Sequence, residues 1–256
     1  MALQTSPAAQ ESAEVYKSPE YYDIAFSMRD IEAECNFLCK LAPDAKHMLE
    51  IGSGNSPHMA PLLARGVRYT GLELSQEMID YAHARLAPGT SATLVQGDMR
   101  VFDVPEPCDF AFLMVCSLFV GDNAELDSHF DSVARSLVLG GLYLLDDCVH
   151  FRLPDAELKW TMSRRGVRVH AHLRWVFDWV RQAFSERLVL DVDDRGRLVH
   201  CEDVSRRRAL FPQEFLNYIA ARPDFEFVGW WNGFDLDEPI TPDRPVHRSV
   251  VVVRRV

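Results

Sequence analysis

Two glycines and a glutamate carry the first chemical signal in this chain. Gly52-Ser53-Gly54-Asn55 is a turn with almost no side-chain bulk, placed directly after the mostly apolar run Met48 to Ile51. Ser56-Pro57 follows and predicts a helix start near 57–64, with Ser as N-cap and Pro at the first helical position. Strand, glycine turn and helix is how open α/β sheets hold nucleotide-like ligands, because missing Cβ atoms let the backbone approach and free N–H groups face the ligand. Twenty-one residues after Gly52, the apolar run from Val67 ends at Glu73. An acidic residue at about 20 residues' separation can accept hydrogen bonds from ribose hydroxyls. The third glycine of the dinucleotide fingerprint is absent, since Pro57 stands there. That argues against a dinucleotide and for a smaller adenosine cofactor.

Other reactive residues give weaker signals. The six cysteines are scattered and form no C-x-x-C pair. With no signal peptide or transmembrane run legible, reduced thiols in a cytoplasmic enzyme are the expectation. The nine histidines show no zinc spacing, and His170 and His172 read as strand residues rather than as a metal pair, so no metal site is expected. A net charge of −11 disfavours nucleic acid, whose phosphates attract basic faces. The short runs Arg164-Arg165 and Arg206-Arg207-Arg208 read as solvated positions. The expected partner is a small molecule, with neither nucleic acid nor a membrane involved.

The elements that must position these residues follow from patterning. With 256 residues and 48% hydrophobic content, the chain suits one large domain with an insertion. Residues 1–14 read as frayed, and the aromatic leader Tyr16 to Asp23 as core packing or a lid over the glycine turn. Ile31, Cys35, Leu38 and Leu41 recur at helical spacing, and Pro43 ends that helix. Strands over 47–51, 67–73, 92–96, 109–115 and 141–147 alternate with helices over 57–64, 75–86 and 124–137. Such alternation predicts a parallel sheet covered on both faces, with ligands at the strand C-termini. Beyond Asp147 the pattern becomes antiparallel, with strands over 166–179, 186–192 and 197–210 and a hairpin turn at Asp193 to Gly196. A helix from Pro212 to Ala221 and strands near 225–231 and 248–254 close the domain.

In this order the motifs resemble the class I S-adenosylmethionine-dependent methyltransferases. LEIGSGNS resembles that family's first motif, GLELSQEM the segment after it, QGDMRVFD the stretch whose acid meets the adenine amino group, and LVLGGLYLL the turn before strand five. The likeness is good over residues 16–147 and looser beyond. The leader YYDIAFSMRDIEAE, the GLELS and QGDMR pairing, the insertion and ALFPQEFLNYI most resemble small-molecule, amino-sugar type N-methyltransferases. The resemblance implies a Rossmann-like, doubly wound, seven-stranded, mostly parallel sheet with an antiparallel insertion covering the active site. It divides the chain into an N-terminal lid and helix (1–45), a cofactor-binding core (46–150), a substrate cap (151–210) and closing elements (211–256).

Carried over residue by residue, the resemblance has Glu50, Gly52 and Gly54 cradle the methionine end of S-adenosylmethionine. Glu73 holds the ribose, Leu74 packs on the adenine, Asp98 accepts its amino hydrogen, and Met99 lies beside the ring. Met114 and Ser117 lie near the transferred methyl, with Tyr16, Tyr21 or Tyr22 closing over it. Tyr22 and Ser117 are the catalytic candidates. Tyr21, His150, Trp160, Arg208 and Trp231 are candidates for acceptor contact. Two departures stand out: Leu139 replaces a usual proline, and Val120-Gly121 sits where some relatives offer an aromatic residue or a histidine.

Methyl transfer from a sulfonium needs an aligned, unprotonated nucleophile and little else. A base matters more for a hydroxyl than for an amine bound neutral. The expectation is therefore N-methylation of a small molecule, with S-adenosylhomocysteine as product and metal-independent O-methylation as the alternative. Asp146 and Asp147 could ligate a hard cation for a metal-dependent rival. A nicotinamide oxidoreductase and a non-catalytic cofactor- or partner-binding module are the remaining rivals. Analogy suggests a homodimer through the antiparallel layer.

Overall fold

A computed structural model describes residues 14–153 and 155–256. The expectation for residues 1–14 therefore lies, apart from Glu14, outside the described residues. Seven strands form one sheet in the order β10-β11-β5-β4-β1-β2-β3. They are β1 (His47–Ile51), β2 (Arg68–Glu73), β3 (Thr93–Gln96), β4 (Cys108–Leu113), β5 (Leu137–Asp146), β10 (Phe225–Asn232) and β11 (Ser249–Arg255). β3, β2, β1, β4 and β5 run parallel, whereas β11 pairs antiparallel with both β5 and β10. Every residue of β1 is buried, and so is Val250 to Val253 of β11, as expected for strands covered on both faces.

Helices α2 (Ile31–Leu41), α3 (Met59–Ala64) and α4 (Gln76–His83) lie on one face. There Phe37, Leu38 and Leu62 pack on Met48, Phe110 and Phe112. Helices α5 (Asn123–Ser136) and α6 (Pro212–Ala221) lie on the other, where Phe130 and Phe215 pack on Ala111, Leu145 and Val253. Side-chain caps fix three starts: Asp30, Ser75 and Asp122 accept from the N–H groups of Ala33, Met78 and Glu125.

The insertion is a separate antiparallel sheet, β6-β7-β8-β9, formed by Glu157–Arg164, Val167–Asp178, Ala183–Asp194 and Arg197–Arg208. Its β8–β9 turn places Arg195 at φ 54 and Gly196 at φ 92, the left-handed pair that a two-residue hairpin needs. The leader seats itself on this cap. Val15 and α1 (Pro19–Ala25), through Tyr21, Ile24 and Ala25, share a core with Val169, Leu188 and Leu190. Asp23 ties α1 to both neighbours, pairing with Arg85 and Arg164 and accepting from the Tyr81 hydroxyl.

Three local features differ from the sequence reading. Helix α1 occupies what reads as an irregular aromatic leader. Strand β6 lies where no strand is expected, although its Leu158, Trp160 and Met162 alternate with Lys159, Thr161 and Ser163 as a half-buried strand requires. Helix α3 starts at Met59 with His58 as N-cap, not at Pro57. Ser56 instead adopts φ 49 and turns its hydroxyl to Ser53 at 3.2 Å, so it closes the glycine turn rather than capping a helix.

Candidate functional site

At the C-terminal edge of β1, Gly52 and Gly54 both take positive φ, 63 and 54. A Cβ on Gly52 would meet only the flexible tip of Met99, at 2.9 Å, so the positive φ of both residues is what favours glycine here. Glu73 ends β2 beside it and is only 8% exposed. Its Oε2 accepts the Gly54 N–H at 2.7 Å and its Oε1 accepts the Ser75 N–H at 2.9 Å. Burial pushes the Glu73 carboxyl up, and these N–H bonds partly offset that rise. The carboxylate is thus locked in direction and faces a cavity. That cavity is also lined by Tyr16, Tyr22, Leu74, Asp98, Met99 and Ser117.

A second cavity opens under the cap. His150, Trp160, Trp175, Glu186 and Arg207 line it, as do Asp147 and Arg248. Tyr16, Tyr22, Ser117 and Phe119 line both cavities, so these four mark the junction. The Tyr16 and Tyr22 rings stand 5.6 Å apart, and Tyr22 packs on Phe26 at 4.5 Å. Burial pushes the Tyr22 hydroxyl up to about 12 and that of Tyr16 upward as well, so both are neutral phenols. Burial, reinforced by the Arg207 charge, brings His150 down to about 4, so this ring is neutral too.

Five expected site residues stand elsewhere. Glu50 lies beneath the glycine turn, accepting from Tyr69 at 2.5 Å and bonding His58 at 2.8 Å, so it lines neither cavity. Met114 is buried on the α2 side of the sheet. Tyr21 points away from Tyr22 and donates to Asp194 at 3.1 Å, as neighbours on a helix face different sides. Trp231 packs edge-on against Phe37. Arg208 pairs with Glu214 outside both cavities, and its neighbour Arg207 takes the inward position. Strand alternation decides that exchange: in a strand, only one of two successive residues can face the cap's inner side.

Asp98 faces the first cavity, but Arg100 forks its carboxylate through Nε and Nη2. Burial would raise that carboxyl, and the guanidinium lowers it on balance. Met99 is held from both sides. Its Sδ accepts the Phe119 N–H at 3.3 Å, and its carbonyl bonds His129 Nδ1 at 2.7 Å. Asp146 is 0% exposed and already occupied: Arg248 donates to both oxygens at 2.7 and 2.6 Å, and the Val115 N–H donates at 2.7 Å. Those bonds hold Val115 and Cys116 at φ 58 and 54, a left-handed step at the end of β4 that a β-branched valine resists. With its oxygens so engaged, Asp146 does not offer the free carboxylate that a cation ligand requires.

Residues that the motifs do not mark complete the lining: Arg100, Phe119, Asp203 and Ser205 in the first cavity, Arg29, Asp147, Trp175, Glu186 and Arg207 in the second. A period-two reading of β9 would have found three of them, since 203, 205 and 207 share one face.

This strand order, with a glycine turn after β1 and an acid ending β2, defines the class I methyltransferase fold. Residues 48–141 match the methyltransferase-domain family model. Over 134 residues it is 29% identical to a dTDP-3-amino-3,4,6-trideoxy-alpha-D-glucopyranose N,N-dimethyltransferase of Streptomyces venezuelae, covering 50% of this chain and 55% of the relative. The chain spans about half the length of the curated relatives it matches. A sugar N-methyltransferase from a Streptoalloteichus species superposes with a TM-score of 0.70 at 24% identity, covering 100% of this chain and 99% of that one. An S-adenosylmethionine-dependent methyltransferase from Clostridium acetobutylicum gives 0.75 at 15% identity, with coverage of 92% and 96%. At these identities the two superpositions speak for the fold. No helix among the described residues is long and apolar enough to cross a membrane.

Proposed function

We propose that the protein transfers a methyl group from S-adenosylmethionine to a nitrogen of a small molecule. The observation that carries this reading is the first cavity: a turn without side chains opposite a carboxylate locked by the Gly54 and Ser75 N–H groups. That combination suits an adenosine, with Glu73 accepting from its ribose hydroxyls and Leu74, Asp98 and Met99 around its base. Gly52, Gly54 and Tyr16 would border the rest of the cofactor. When bound, the cofactor supplies an electrophilic methyl group on a sulfonium.

The chain's own residues then align the acceptor and keep water out. Tyr22 and Ser117 sit at the junction of the cavities, the position for residues that flank the reacting nitrogen. The neutral phenol of Tyr22 can donate a hydrogen bond but is a poor base. His150 and Trp160 line the acceptor side. Nitrogen is favoured over oxygen because a sugar hydroxyl holds its proton far more tightly than an ammonium does and so calls for a much stronger base. Among the described residues no histidine lines both cavities, and Val120 is fully buried and lines neither. The N,N-dimethyltransferase relatives support the same choice. The matching amino-sugar relatives make an amino sugar the first acceptor class to test.

Calorimetry with S-adenosylhomocysteine tests the cofactor half of the proposal. Incubation with S-adenosylmethionine and a panel of amino sugars, with fragmentation spectra locating the added methyl, tests the other half. Failure of S-adenosylhomocysteine to bind overturns the reading, and a methyl found on oxygen moves it to the O-methylation alternative.

A further inference from the structure

The inner face of the cap carries a polar group that the proposed reaction has not yet used. On β9, Asp203, Ser205 and Arg207 alternate onto one face, and register sets them opposite Leu188, Glu186 and Phe184 of β8. Asp203 and Ser205 line the first cavity, while Glu186 and Arg207 line the second. The group therefore straddles the junction where cofactor and acceptor would meet.

Its hydrogen bonds are incomplete. Ser205 is 6% exposed, yet its Oγ has no partner among the described residues. Arg207 is 5% exposed and donates to Glu186 Oε2 and the Cys116 carbonyl, while its Nε–H has no partner. Trp175 Nε1 also donates to Glu186 Oε2, at 2.6 Å, leaving Oε1 free of partners among the described residues. Asp203 forms no ion pair among them, and no cation offsets the rise of its carboxyl. Arg207 thus pairs with Glu186 alone, and the Asp203 carboxylate stands without a cation beside a buried, unpartnered hydroxyl. Buried polar groups left open in this way mark places where a ligand completes the bonding.

We infer that Asp203, Glu186 Oε1 and Ser205 Oγ form the receptor for the protonated amine of the acceptor, and that Asp203 takes up its proton. This rests on the methyltransfer reading above. Three acceptor atoms match the three N–H bonds of a primary ammonium. In the proton step an N–H bond breaks, its electron pair stays on nitrogen, and an O–H bond forms on the Asp203 carboxylate. The neutral amine so produced is the form that can attack a methyl group. Burial and the neighbouring Glu186 push the Asp203 carboxyl up to about 6, closer to an amine than an ordinary carboxylate. The ionisable groups around it are Glu186 from β8, Tyr16 and Tyr22 from the leader and α1, Glu73 from β2, and Asp98 and Arg100 beyond β3.

Sinefungin is a suitable probe, because it carries an amine in place of the methyl-bearing sulfonium, whereas S-adenosylhomocysteine carries none there. Calorimetry on the wild-type chain and on Asp203→Asn should show sinefungin weakened about tenfold, with S-adenosylhomocysteine within about twofold. Ser205→Ala should show a smaller loss of the same kind. Wild-type affinity for sinefungin should fall as pH drops through about 6, while Asp203→Asn stays flat. Equal losses for both ligands would assign the carboxylates to the amino-acid end of the cofactor, and no loss for either would make them structural; each result overturns the inference. Binding of neither ligand by the wild-type chain would defeat the cofactor reading first, and this inference with it.

Discussion

The two cavities are walled by different materials. The first has one wall of backbone, a glycine turn and strand ends with one glutamate aimed by two N–H groups, while side chains such as Tyr16, Met99 and Asp203 close the rest. The second is bounded by long side chains from the cap, the leader and strand ends, aromatic ones such as Trp160, Trp175 and Phe184 together with ion pairs such as Arg207–Glu186 and Arg29–Glu34. A backbone wall depends on a few residue types at fixed spacing. A side-chain wall depends on register, so a shift of one residue exchanges its whole lining. The difference can be broken or sharpened by substitution.

The sharpest test of register is the pair Arg207 and Arg208. Arg207→Ala leaves Glu186 buried without its cation, which should cost about 3–5 kcal/mol in urea unfolding. Arg208→Ala removes a pair whose glutamate is half-open to solvent and should cost less than about 1 kcal/mol. Equal losses would contradict the alternation along β9.

Acid should strike the support of the backbone wall next. His129 is fully buried on α5, bonding the Met99 carbonyl at 2.7 Å and the Tyr143 hydroxyl at 2.8 Å. A carbonyl only accepts, so Nδ1 carries the hydrogen and Nε2 accepts from Tyr143. Burial brings this ring down to about 4. A lowered folded value means the neutral form is favoured by folding. Its contribution is complete above the unfolded value near 6.5 and is lost as pH falls toward 4. The loss at the bottom of that window is about 3 kcal/mol for His129. His150 titrates in the same direction. Glu34 is driven to about 2: burial opposes that shift, and the His58 and Arg29 bonds cause it, so its loss comes at lower pH. Urea midpoints between about pH 7 and pH 4.5 should fall steeply in the wild-type chain and less steeply in His129→Gln.

Legibility in the sequence follows the same division. The parallel core was readable because buried strands leave continuous apolar runs and capped helices leave Asp and Ser markers. Gly52, Gly54 and Glu73 stood out because a turn without side chains and an acid at a strand end are properties of residue type. Glu50 misled for the same reason. Its type fits a ligand contact, but Tyr69 and His58 reach it from positions 19 and 8 residues away. Trp231 and Met114 read as contacts because large apolar residues near strand ends suit a pocket as well as a core, and only the packing of α2 decides. Arg208 failed by one position in a run of three arginines that differ only in the face they occupy.

A smaller effect is expected at the glutamate itself. Glu73→Gln keeps the shape but turns one carboxylate oxygen into an amide that must face the Gly54 or Ser75 N–H. Two donors then oppose each other, and the side chain swings from its direction. The expected cost is about 2 kcal/mol, or about thirtyfold in S-adenosylhomocysteine affinity by calorimetry. Unchanged affinity would mean that the locked carboxylate does not hold the ligand.

The smallest contrast concerns two tryptophans that look equivalent in the sequence. Trp160 on β6 donates through Nε1 to the Ala25 carbonyl at 2.7 Å and meets Phe26 edge-on, so it pins the end of α1 to the cap. Trp231 on β10 packs edge-on against Phe37 and Phe37 against Phe234, far from the leader in the chain. Trp160→Phe removes one hydrogen bond, worth about 1 kcal/mol, and the loss falls on α1. Because α1 also carries Tyr22, loosening it widens the junction between the cavities. Amide exchange over Tyr21 to Ala25 should quicken about fivefold in Trp160→Phe and stay unchanged in Trp231→Phe. Equal quickening in both would show that α1 is held by the general stability of the fold rather than by this one bond, and the cap would lose its role in setting the leader.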